Sequence, residues 1–339
     1  MRRERGGEEE DAADILERMR GTVVGVLRGG PSEAHDVSLR TGHSMLTALD
    51  PERYTPRDIY IDRTGSWHVA GRPVSPADAL RSVDVALVGL HGEFGEDGGV
   101  QRILEAAGVP YTGSSAFPSY TAAHKLFAKR KAEELGVLTP KYRYAEAAGL
   151  EDTLADVVRS FHPPVVVKPA RSGLSLGVSL QGGYAPIHRE VTRLLHGGSG
   201  GVLIEERISG TEATVGVIES FRGEPLYAMP PMEIAPLEGG LFTHEAKRSG
   251  NALFRFPAAF SKLVGDELMR TARRMHEALG LRHYSRSDFI VSPKGVYYLE
   301  TNALPPLGDE HAFARALGGV GVRLGGFLDH IVGLAARRV

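Results

Sequence analysis

Short apolar strands that end at glycines, each followed by a helical pattern, fill the first third of the chain and constrain its fold more than any other feature. Residues 22–30 (TVVGVLRGG) lead into a helical pattern over residues 32–49, and residues 84–90 (DVALVGL) lead into a glycine-rich loop and a second helical pattern. A further helix is predicted over residues 122–136. The order strand, glycine turn, helix is typical of α/β units, in which the helix N-terminus favours anions. We therefore predict a small doubly wound α/β domain that ends near residue 115.

The composition is that of an ordinary soluble globular protein. The 339 residues are enough for two or three domains, and 42% of them are hydrophobic and 24% charged. The 40 basic and 42 acidic side chains give a formal charge of −2, which implies neither a nucleic acid nor a polyanion as partner. The chain has no cysteine, so disulfides, thiolate metal sites and cysteine nucleophiles are excluded. No apolar run approaches the roughly 20 residues of a membrane span, and the charged residues 1–21 do not resemble a signal peptide. We expect a cytoplasmic protein with a solvated N-terminal extension.

The remaining two thirds are also rich in strands. Residues 163–180 and 201–218 each alternate apolar and polar side chains around a glycine turn, which predicts strand–loop–strand units. Helical patterns cover residues 145–161, 186–198 and 261–280, and a last helix is predicted from about Gly321. Residues 229–251 are rich in proline and glycine and have little periodicity. A long unpatterned loop in a compact chain is more often functional than idle.

A predicted hairpin carries three oxygen-bearing side chains. The strand SRSDFIV (285–291) precedes the strand GVYYLETN (295–302) across a short turn. Strand side chains alternate faces, so Glu300 and Asn302 point the same way, and Asp288 on the neighbouring strand can join them. Carboxylate and amide oxygens without histidine or cysteine suit Mg²⁺ that is shared with substrate phosphates. The alternative is that these are ordinary polar residues that cap the strand ends.

Two further segments have the residue types of a nucleotide site. In residues 165–177, Lys168 precedes a loop of glycine and serine whose backbone N–H groups could hold phosphate; the alternative is a glycine-rich hairpin with a surface lysine. No Walker motif is present. In residues 203–212, acidic side chains follow a strand and could face an adenine edge and ribose hydroxyls. In isolation, a solvated run of charges is the better interpretation of that segment.

Taken together, the motifs resemble one known family. HGEFGEDG, KPARSGLSLG, LIEERISGTE, EAKR, SRSDF and LETNALP occur in the order and spacing of the ATP-grasp superfamily. With GGPSEAHDVS and YTGSSAFPSYTAAHK, they resemble the D-alanine–D-alanine ligase family from about residue 22 to the end. The resemblance implies an α/β, three-domain ATP-grasp fold. After the extension (residues 1–21), it comprises an N-terminal substrate-binding domain (22–115), a central domain (116–206) and a C-terminal domain (207–339), with ATP between the last two.

The resemblance also implies a role for each residue that matches a family motif. Mg²⁺, as two ions with Mn²⁺ as an alternative, would be held by Asp288, Glu300 and Asn302. The nucleotide would be bound by Lys125, Lys168 and Ser175 near the phosphates, by Glu205, Glu206 and Ile208 at the adenine, and by Glu212 at the ribose. The implied catalytic residues are Arg286 at the oxyanion, Lys247 on a loop that closes over the γ-phosphate, and His91 in the substrate pocket.

The implied reaction joins a carboxylate to an amine. Transfer of the γ-phosphoryl group of ATP makes an acyl phosphate, for which the protein contributes positioning and charge neutralisation. An amine then attacks the carbonyl group, Arg286 stabilises the oxyanion, and phosphate leaves. Closure of residues 235–251 would exclude water that otherwise hydrolyses the intermediate. We expect small-molecule substrates and a homodimer, as in the resembled family.

Three departures from the family fall in one group of substrate contacts. The family has a Glu where this chain has Ala34, a Ser where it has Leu174, and a Tyr where it has Arg248. Glu33 comes one residue early and, at a helix start, would point about 100° away. In addition, His124 replaces an Asp, and Gly308 and His311 lie where the family binds the carboxylate of the second substrate.

These departures lead us to predict a carboxylate–amine ligase of specialised biosynthesis whose substrates are other than D-alanine. Ala34 cannot accept a hydrogen bond from an ammonium group, and Arg248 would repel one. The predicted acyl donor therefore lacks an α-amino group there or carries an extra anionic or carbonyl group. One alternative is a housekeeping D-alanine–D-alanine ligase of cell-wall synthesis. The other is a nucleotide-binding protein without ligase activity, which the intact ATP and metal residues disfavour.

Overall fold

A first sheet of five strands lies in the N-terminal part of the chain. The computed structural model describes residues 21–171, 173, 176–236 and 252–337. In this sheet the strand order is β4-β3-β2-β1-β5, and β1 is parallel to both of its neighbours. The strands are β1 (Thr22–Gly29), β2 (Tyr54–Ile61), β3 (Trp67–Val69), β4 (Arg72–Val74) and β5 (Val85–Val88). The predictions of β1 and β5 are confirmed. Strands β2 to β4 were not predicted, because β2 contains a proline, an arginine and an aspartate that interrupt its apolar pattern.

Helices α1 (His35–Ala48), α2 (Pro76–Leu80) and α3 (Gly99–Ala106) accompany this sheet. Helix α1 begins at His35, later than the pattern from residue 32 predicts, because residues 33 and 34 form a turn. The helix predicted over residues 122–136 is interrupted. It consists of α4 (Ala116–Ala123) and α5 (Lys125–Glu134), separated by His124, whose backbone is extended with ψ of 99°.

The second sheet has four antiparallel strands in the order β6-β9-β7-β8. They are β6 (Tyr142–Ala145), β7 (Val165–Pro169), β8 (Ser179–Gln181) and β9 (Val202–Glu206). Helices α6 (Leu150–Ser160) and α7 (Tyr184–His196) pack on it and bury the apolar side chains of Leu154, Val157, Ile187 and Val191. The predicted strand–loop–strand unit at residues 163–180 is the pair β7 and β8.

The third sheet carries the predicted hairpin. Its main order is β13-β12-β10-β14-β15, and β11 pairs with β10. The strands are β10 (Thr211–Phe221), β11 (Glu224–Ala228), β12 (Met232–Pro236), β13 (Ala252–Arg255), β14 (Tyr284–Ser292) and β15 (Gly295–Asn302), and helix α8 (Lys262–Ala278) covers them. Strands β14 and β15 form the predicted antiparallel hairpin. The unit predicted over residues 201–218 is divided, because β9 belongs to the second sheet and β10 to the third.

The last two helices return to the first sheet. They are α9 (Ala312–Gly319), which was not predicted, and α10 (Leu324–Ala336), which begins close to the predicted Gly321. Phe327, Leu328 and Ile331 of α10 are fully buried in the same core as the apolar side chains of β1 and β5. The α10 helix therefore completes the core of the N-terminal sheet, although the predicted domain boundaries assign it to the C-terminal domain.

No single described helix is long and apolar enough to cross a bilayer; α9 and α10 meet the length and composition requirement only as a pair, across a bend of 104°.

Candidate active site

A cavity of about 620 Å³ lies between helix α1 and the β14–β15 hairpin. Asp288 pairs with Glu300 across the two strands, and Arg286 pairs with Asn302. All four of these side chains line the cavity, together with Lys125 at the start of α5. The antiparallel register therefore places the three predicted metal-binding residues and the predicted oxyanion residue in one wall.

The carboxylate of Asp288 has close partners inside this wall. Arg286 donates two hydrogen bonds to it, from Nε at 2.9 Å and from Nη2 at 2.8 Å. Thr214 Oγ1 on β10 donates a third at 2.7 Å. Burial would lower the pKa of Arg286, but the adjacent Asp288 holds it above the usual value. Arg286 is thus a permanently charged donor on the cavity wall.

Glu300 and Asn302 complete the predicted metal set. The Nζ atom of the buried Lys125 lies 3.4 Å from Glu300 Oε2, and Asn302 Oδ1 accepts a hydrogen bond from the backbone N–H of Leu304 at 2.9 Å. Among the described residues no cluster of three or more His, Cys, Asp or Glu side chains could hold a metal; the predicted set has two carboxylates and one amide. Hard oxygen donors whose charge is balanced by neighbouring cations fit Mg²⁺, because the ion can take the place of those cations.

Three charged side chains meet at the junction of the second sheet with helix α5. Lys168 is on β7, Glu205 is on β9, and Lys129 is on α5; all three are buried. Glu205 Oε1 lies 2.9 Å from the Nζ atom of each lysine. Burial alone would raise the pKa of Glu205, but the two ammonium groups together hold it below its usual value. Lys129 was missed from the sequence because it lies in a run of charged residues that resembles a solvated helix face.

The other predicted nucleotide residues lie at the junction of β9 with β10. Glu206 Oε1 accepts a hydrogen bond from the backbone N–H of Lys141 at 2.9 Å. Ile208 follows in the connection between the two strands, and Glu212 is the second residue of β10. None of these side chains, nor Lys168 or Glu205, lines the 620 Å³ cavity. Among the described residues, the predicted nucleotide residues are therefore separated: Lys125 lies in the cavity with the predicted metal set, and the others lie at the sheet junction.

His91 lies behind the cavity and is linked to it by the carboxylate of Glu96. Its Nε2 atom is 2.8 Å from Thr41 Oγ1, and its Nδ1 atom is 3.4 Å from Glu96 Oε1. Glu96 lines the cavity, whereas His91 itself is buried behind it. Glu96 was missed from the sequence, although it lies in the HGEFGEDG string that carries the family resemblance.

The structure corrects the direction predicted for Glu33. Glu33 lines the cavity from the turn that precedes α1, because that turn, and not a helix start, sets its direction. Ala34 has an exposed fraction of only 2%, does not line the cavity, and faces Gly92. Of the two neighbouring residues, it is therefore Glu33 and not Ala34 that lines the cavity.

At the other end of the cavity, His311 and Glu310 precede helix α9. Burial lowers the pKa of His311 to about 4, although Glu310 opposes the shift, so the imidazole is neutral at pH 7. Glu310 accepts a hydrogen bond from Arg40 Nε at 2.9 Å. Gly308 leaves room for Glu310, whose Oε2 atom would be 2.6 Å from a β-carbon at that position. Lys247, Leu174, Ser175 and Arg248, and residues 237–251 of the predicted closing loop, lie outside the described residues.

Comparisons with known proteins agree with this architecture. The family model described as D-ala D-ala ligase C-terminus matches residues 133–333, and the model of the N-terminus matches residues 23–77 and 71–114. A D-alanine–D-alanine ligase of Desulforudis audaxviator is 33% identical over 316 residues, which is 93% of this chain and 99% of the relative. A D-alanine–D-alanine ligase of Geotalea uraniireducens is 32% identical over 96% of this chain and 99% of the relative.

Solved structures share the fold. The VanG D-Ala:D-Ser ligase from Enterococcus faecalis superposes with a TM-score of 0.82 at 23% identity, over 93% of this chain and 100% of that chain. A D-alanine–D-alanine ligase from Bacillus anthracis has a TM-score of 0.79 at 25% identity, over 94% and 98% of the two chains. The fold is therefore the ATP-grasp fold, as the sequence predicts.

With this fold and with relatives named D-alanine–D-alanine ligase over almost its whole length, the chain is an ATP-dependent, ADP-forming ligase. Within that class, the matches over almost the whole length show that the chain belongs to the D-alanine–D-alanine ligase family.

Proposed function

We propose that this chain joins two molecules of D-alanine at the expense of ATP. The relatives that match it from end to end carry the name D-alanine–D-alanine ligase, which favours the housekeeping alternative. The predicted use of other substrates in specialised biosynthesis has no support among these relatives. We keep the predictions of a homodimer and of a cytoplasmic location.

The observation that carries the proposal is the position of Glu33. The case against an amino-acid donor rested on Ala34, Leu174 and Arg248. Leu174 and Arg248 lie outside the described residues, and the acidic residue next to Ala34, Glu33, lines the cavity. Four of the acidic cavity residues form ion pairs with basic side chains: Asp36 with Arg63, Asp288 with Arg286, Glu300 with Lys125, and Glu310 with Arg40. Within the described ranges Glu33 has no ion-pair partner and its side chain is exposed. A substrate ammonium group at this end would gain a charge-assisted hydrogen bond.

The reaction then follows from the chemistry of the two ends of the substrate. A carboxylate oxygen of the first D-alanine attacks the γ-phosphorus of ATP, the bond to the β-phosphate oxygen breaks, and ADP leaves. The amino group of the second D-alanine, once deprotonated, attacks the carbonyl carbon of the acyl phosphate. Collapse of the resulting oxyanion expels phosphate and forms the peptide bond.

The residues of the cavity wall have separate tasks in this scheme. Arg286 would donate hydrogen bonds to the oxyanion from N–H groups that Asp288 does not use, since Asp288 accepts only two of its five. Asp288, Glu300 and Asn302 would hold Mg²⁺, which neutralises charge on the phosphates when bound. Lys125 would then leave Glu300 and bind phosphate. The ion pairs of the cavity wall thus keep the cations and the acids close to where the reaction needs them.

The test is product formation with D-alanine as the sole amino acid, in the presence of ATP and Mg²⁺. We expect D-alanyl-D-alanine, identified by mass spectrometry, in equal amounts to ADP and phosphate. L-Alanine, a deaminated acid and a dicarboxylic acid serve as comparison donors. Activity confined to the deaminated or dicarboxylic acids would contradict the proposal and restore the earlier substrate prediction. ADP formation without any amide product would favour a nucleotide-binding protein without ligase activity.

A further inference from the structure

Lys129 is a buried cation that the proposed reaction does not use. Its exposed fraction is 0%, and its Nζ atom lies 2.9 Å from Glu205 Oε1. The same ammonium group donates a hydrogen bond to Thr139 Oγ1 at 2.6 Å and lies 5.3 Å from the ring centre of Tyr142. Burial lowers the pKa of Lys129 to about 8, although Glu205 opposes the shift, so most of it is protonated at pH 7. A fully buried lysine is rare and needs a reason for its position.

The three buried groups in contact at Glu205 carry one more positive charge than negative charge; Glu133 also favours the protonated form of Lys129 but forms no ion pair with it. Lys129 and Lys168 both lie 2.9 Å from a single carboxylate oxygen. A neutral buried pair needs only one lysine, and a second buried ammonium group adds a desolvation cost. The surplus charge is therefore better explained by a state in which one of the two lysines has left the carboxylate.

The two lysines differ in their ability to leave. Lys168 lies near the end of β7, at the start of the loop that leads to Gly173 and Gly177, and a small part of its side chain is exposed. Lys129, on α5, is fully buried, and its ammonium group donates a hydrogen bond to Thr139 Oγ1. The hydroxyl group of Thr139 in turn donates a hydrogen bond to the carbonyl oxygen of Tyr298 on β15. Lys129 is thus fixed to the sheet that carries the metal set, and Lys168 is the lysine that can move.

We propose that Lys129 is a positioning residue that keeps Glu205 neutralised when Lys168 turns away to bind a phosphate group of the nucleotide. Without Lys129, release of Lys168 would leave a buried, unpaired carboxylate, so Lys168 would stay with Glu205. The inference rests on the proposed function, because it takes the nucleotide to bind beside Lys168. It assigns to Lys129 an effect on phosphate affinity without any contact with the nucleotide.

The experiment compares ADP with adenosine, which lacks phosphate. Both are measured with the full chain by displacement of a fluorescent ADP analogue, for the wild type, Lys129→Met and Lys168→Met. For Lys129→Met we expect ADP to bind on the order of tenfold more weakly, because one charge-assisted hydrogen bond to phosphate is lost. We expect the affinity for adenosine to change less than about twofold. Lys131→Met, which removes a more exposed lysine of the same helix, is the matched control and should change neither affinity.

A second substitution tests the route of the effect. In Glu205→Gln the carboxylate is gone, so Lys168 has no anionic partner to leave and Lys129 has none to neutralise. We therefore expect Lys129→Met to have no further effect on the ratio of ADP to adenosine affinity in the Glu205→Gln background. This comparison of ratios holds even if the amide weakens the binding of adenine, and circular dichroism of each variant verifies that it is folded.

The outcomes separate the inference from the function on which it rests. If Lys168→Met lowers the ratio of ADP affinity to adenosine affinity and Lys129→Met leaves that ratio unchanged, the inference is overturned, but the assignment of the nucleotide site is kept. If Lys168→Met leaves the ratio unchanged, the nucleotide does not bind there and the assignment of the site fails with it. An equal loss of ADP and adenosine affinity in Lys129→Met would show a purely structural role and would also overturn the inference.

Discussion

Glu33 is the residue whose position supports D-alanine as the substrate. Glu33 is exposed and lines the cavity from the turn before α1, and in the proposed function its carboxylate binds the substrate ammonium group. We expect Glu33→Gln to raise the KM for D-alanine by about tenfold, because a charge-assisted hydrogen bond becomes a neutral one. Steady-state kinetics with D-alanine varied at saturating ATP measures this. Glu52→Gln, at an exposed position that does not line the cavity, should leave the KM unchanged. An unaltered KM in Glu33→Gln would contradict a contact between Glu33 and the substrate ammonium group.

Glu300 belongs to the proposed metal site and faces Lys125. Glu300→Gln would remove one hard anionic ligand from this proposed site. We expect Mg²⁺-dependent ATP turnover to fall roughly 100-fold or more, since a metal ligand of this kind contributes several kcal/mol to the transition state. Turnover measured over a range of Mg²⁺ concentrations should also show a higher half-saturating concentration. Glu277→Gln, at an exposed position on α8, is the control. Normal turnover of Glu300→Gln would place the metal elsewhere.

His124 gives a prediction about pH. Its ring stacks on Phe127 with 4.3 Å between the ring centres, and burial, assisted by Arg171, lowers its pKa from 6.5 to about 4. Between pH 6.5 and about 4, His124 is therefore protonated in the unfolded chain but neutral in the folded chain. The free energy of unfolding consequently falls as the pH decreases through this range. His124→Phe keeps the stacking and removes this proton. We expect the loss of unfolding free energy between pH 7.5 and 4.5 to be smaller in His124→Phe, by on the order of 1 kcal/mol.

Urea unfolding at the two pH values measures this difference. His162→Gln, which replaces an exposed histidine, is the matched control and should follow the wild type. Equal pH dependence of His124→Phe and the wild type would contradict a neutral buried His124.

At the scale of the element, sequence patterns predicted the structure correctly where it depends on residues that are close together in the chain. The β14–β15 hairpin was predicted because apolar alternation and a short turn lie next to each other in the chain. Pairings between distant segments left no such local pattern. Strand β9 pairs with β7 in one sheet, and β10, which follows after a connection of four residues, pairs with β14 in another. The break at His124 and the late start of α1 were missed for a related reason, because helical periodicity is continuous across both positions.

The candidate site likewise contains residues that could be found from the sequence and residues that could not. The clustering of Asp288, Glu300 and Asn302 could be predicted because all three lie on one hairpin, where Glu300 and Asn302 are two residues apart on the same strand. Lys129 could not, since its burial depends on the meeting of α5 with the second sheet, and its neighbours in the chain are mostly charged. The direction of Glu33 depended on one turn of backbone, which the residue types of GGPSEAH do not specify.

The N-terminus of α3 depends on a glycine. Gly98 has φ of +88°, and a β-carbon there would lie 2.5 Å from the carbonyl oxygen of Ala116. Gly108 has φ of +65° and no atom within 4 Å of such a β-carbon. Both substitutions to alanine incur the cost of a left-handed backbone, so their difference isolates the collision. We expect Gly108→Ala to lower the unfolding free energy by roughly 1 kcal/mol and Gly98→Ala by roughly 3 kcal/mol or more. Urea unfolding measures both, and equal losses would contradict a close approach at Gly98.

At the scale of the molecule, helix α10 links the two ends of the described chain. Ile331 of α10 is fully buried in the core that contains Trp67, the only tryptophan in the sequence, on β3. We expect Ile331→Ala to lower the unfolding free energy by about 2–5 kcal/mol. The fluorescence of Trp67 should report that loss, although the substitution lies far from Trp67 in sequence. Ile187→Ala, in the separate core of the second sheet, is the control and should shift the midpoint seen by Trp67 less. Equal shifts would mean that the cores unfold as one unit.

The return of α10 to the first sheet has a consequence for how the protein is made. A ribosome delivers residues in order, and the domains of many proteins fold as soon as they emerge. Here β1 and β5 emerge early, but their core lacks Phe327, Leu328 and Ile331 until more than two hundred further residues have been synthesised. During that interval α1 is already available to pack on β1, but the part of the first core that α10 covers is still exposed, whereas the second sheet already has α6 and α7 from its own stretch of chain. The domain that is translated first is therefore the last to be completed, and a nascent chain arrested before residue 324 would present that part of the core to chaperones.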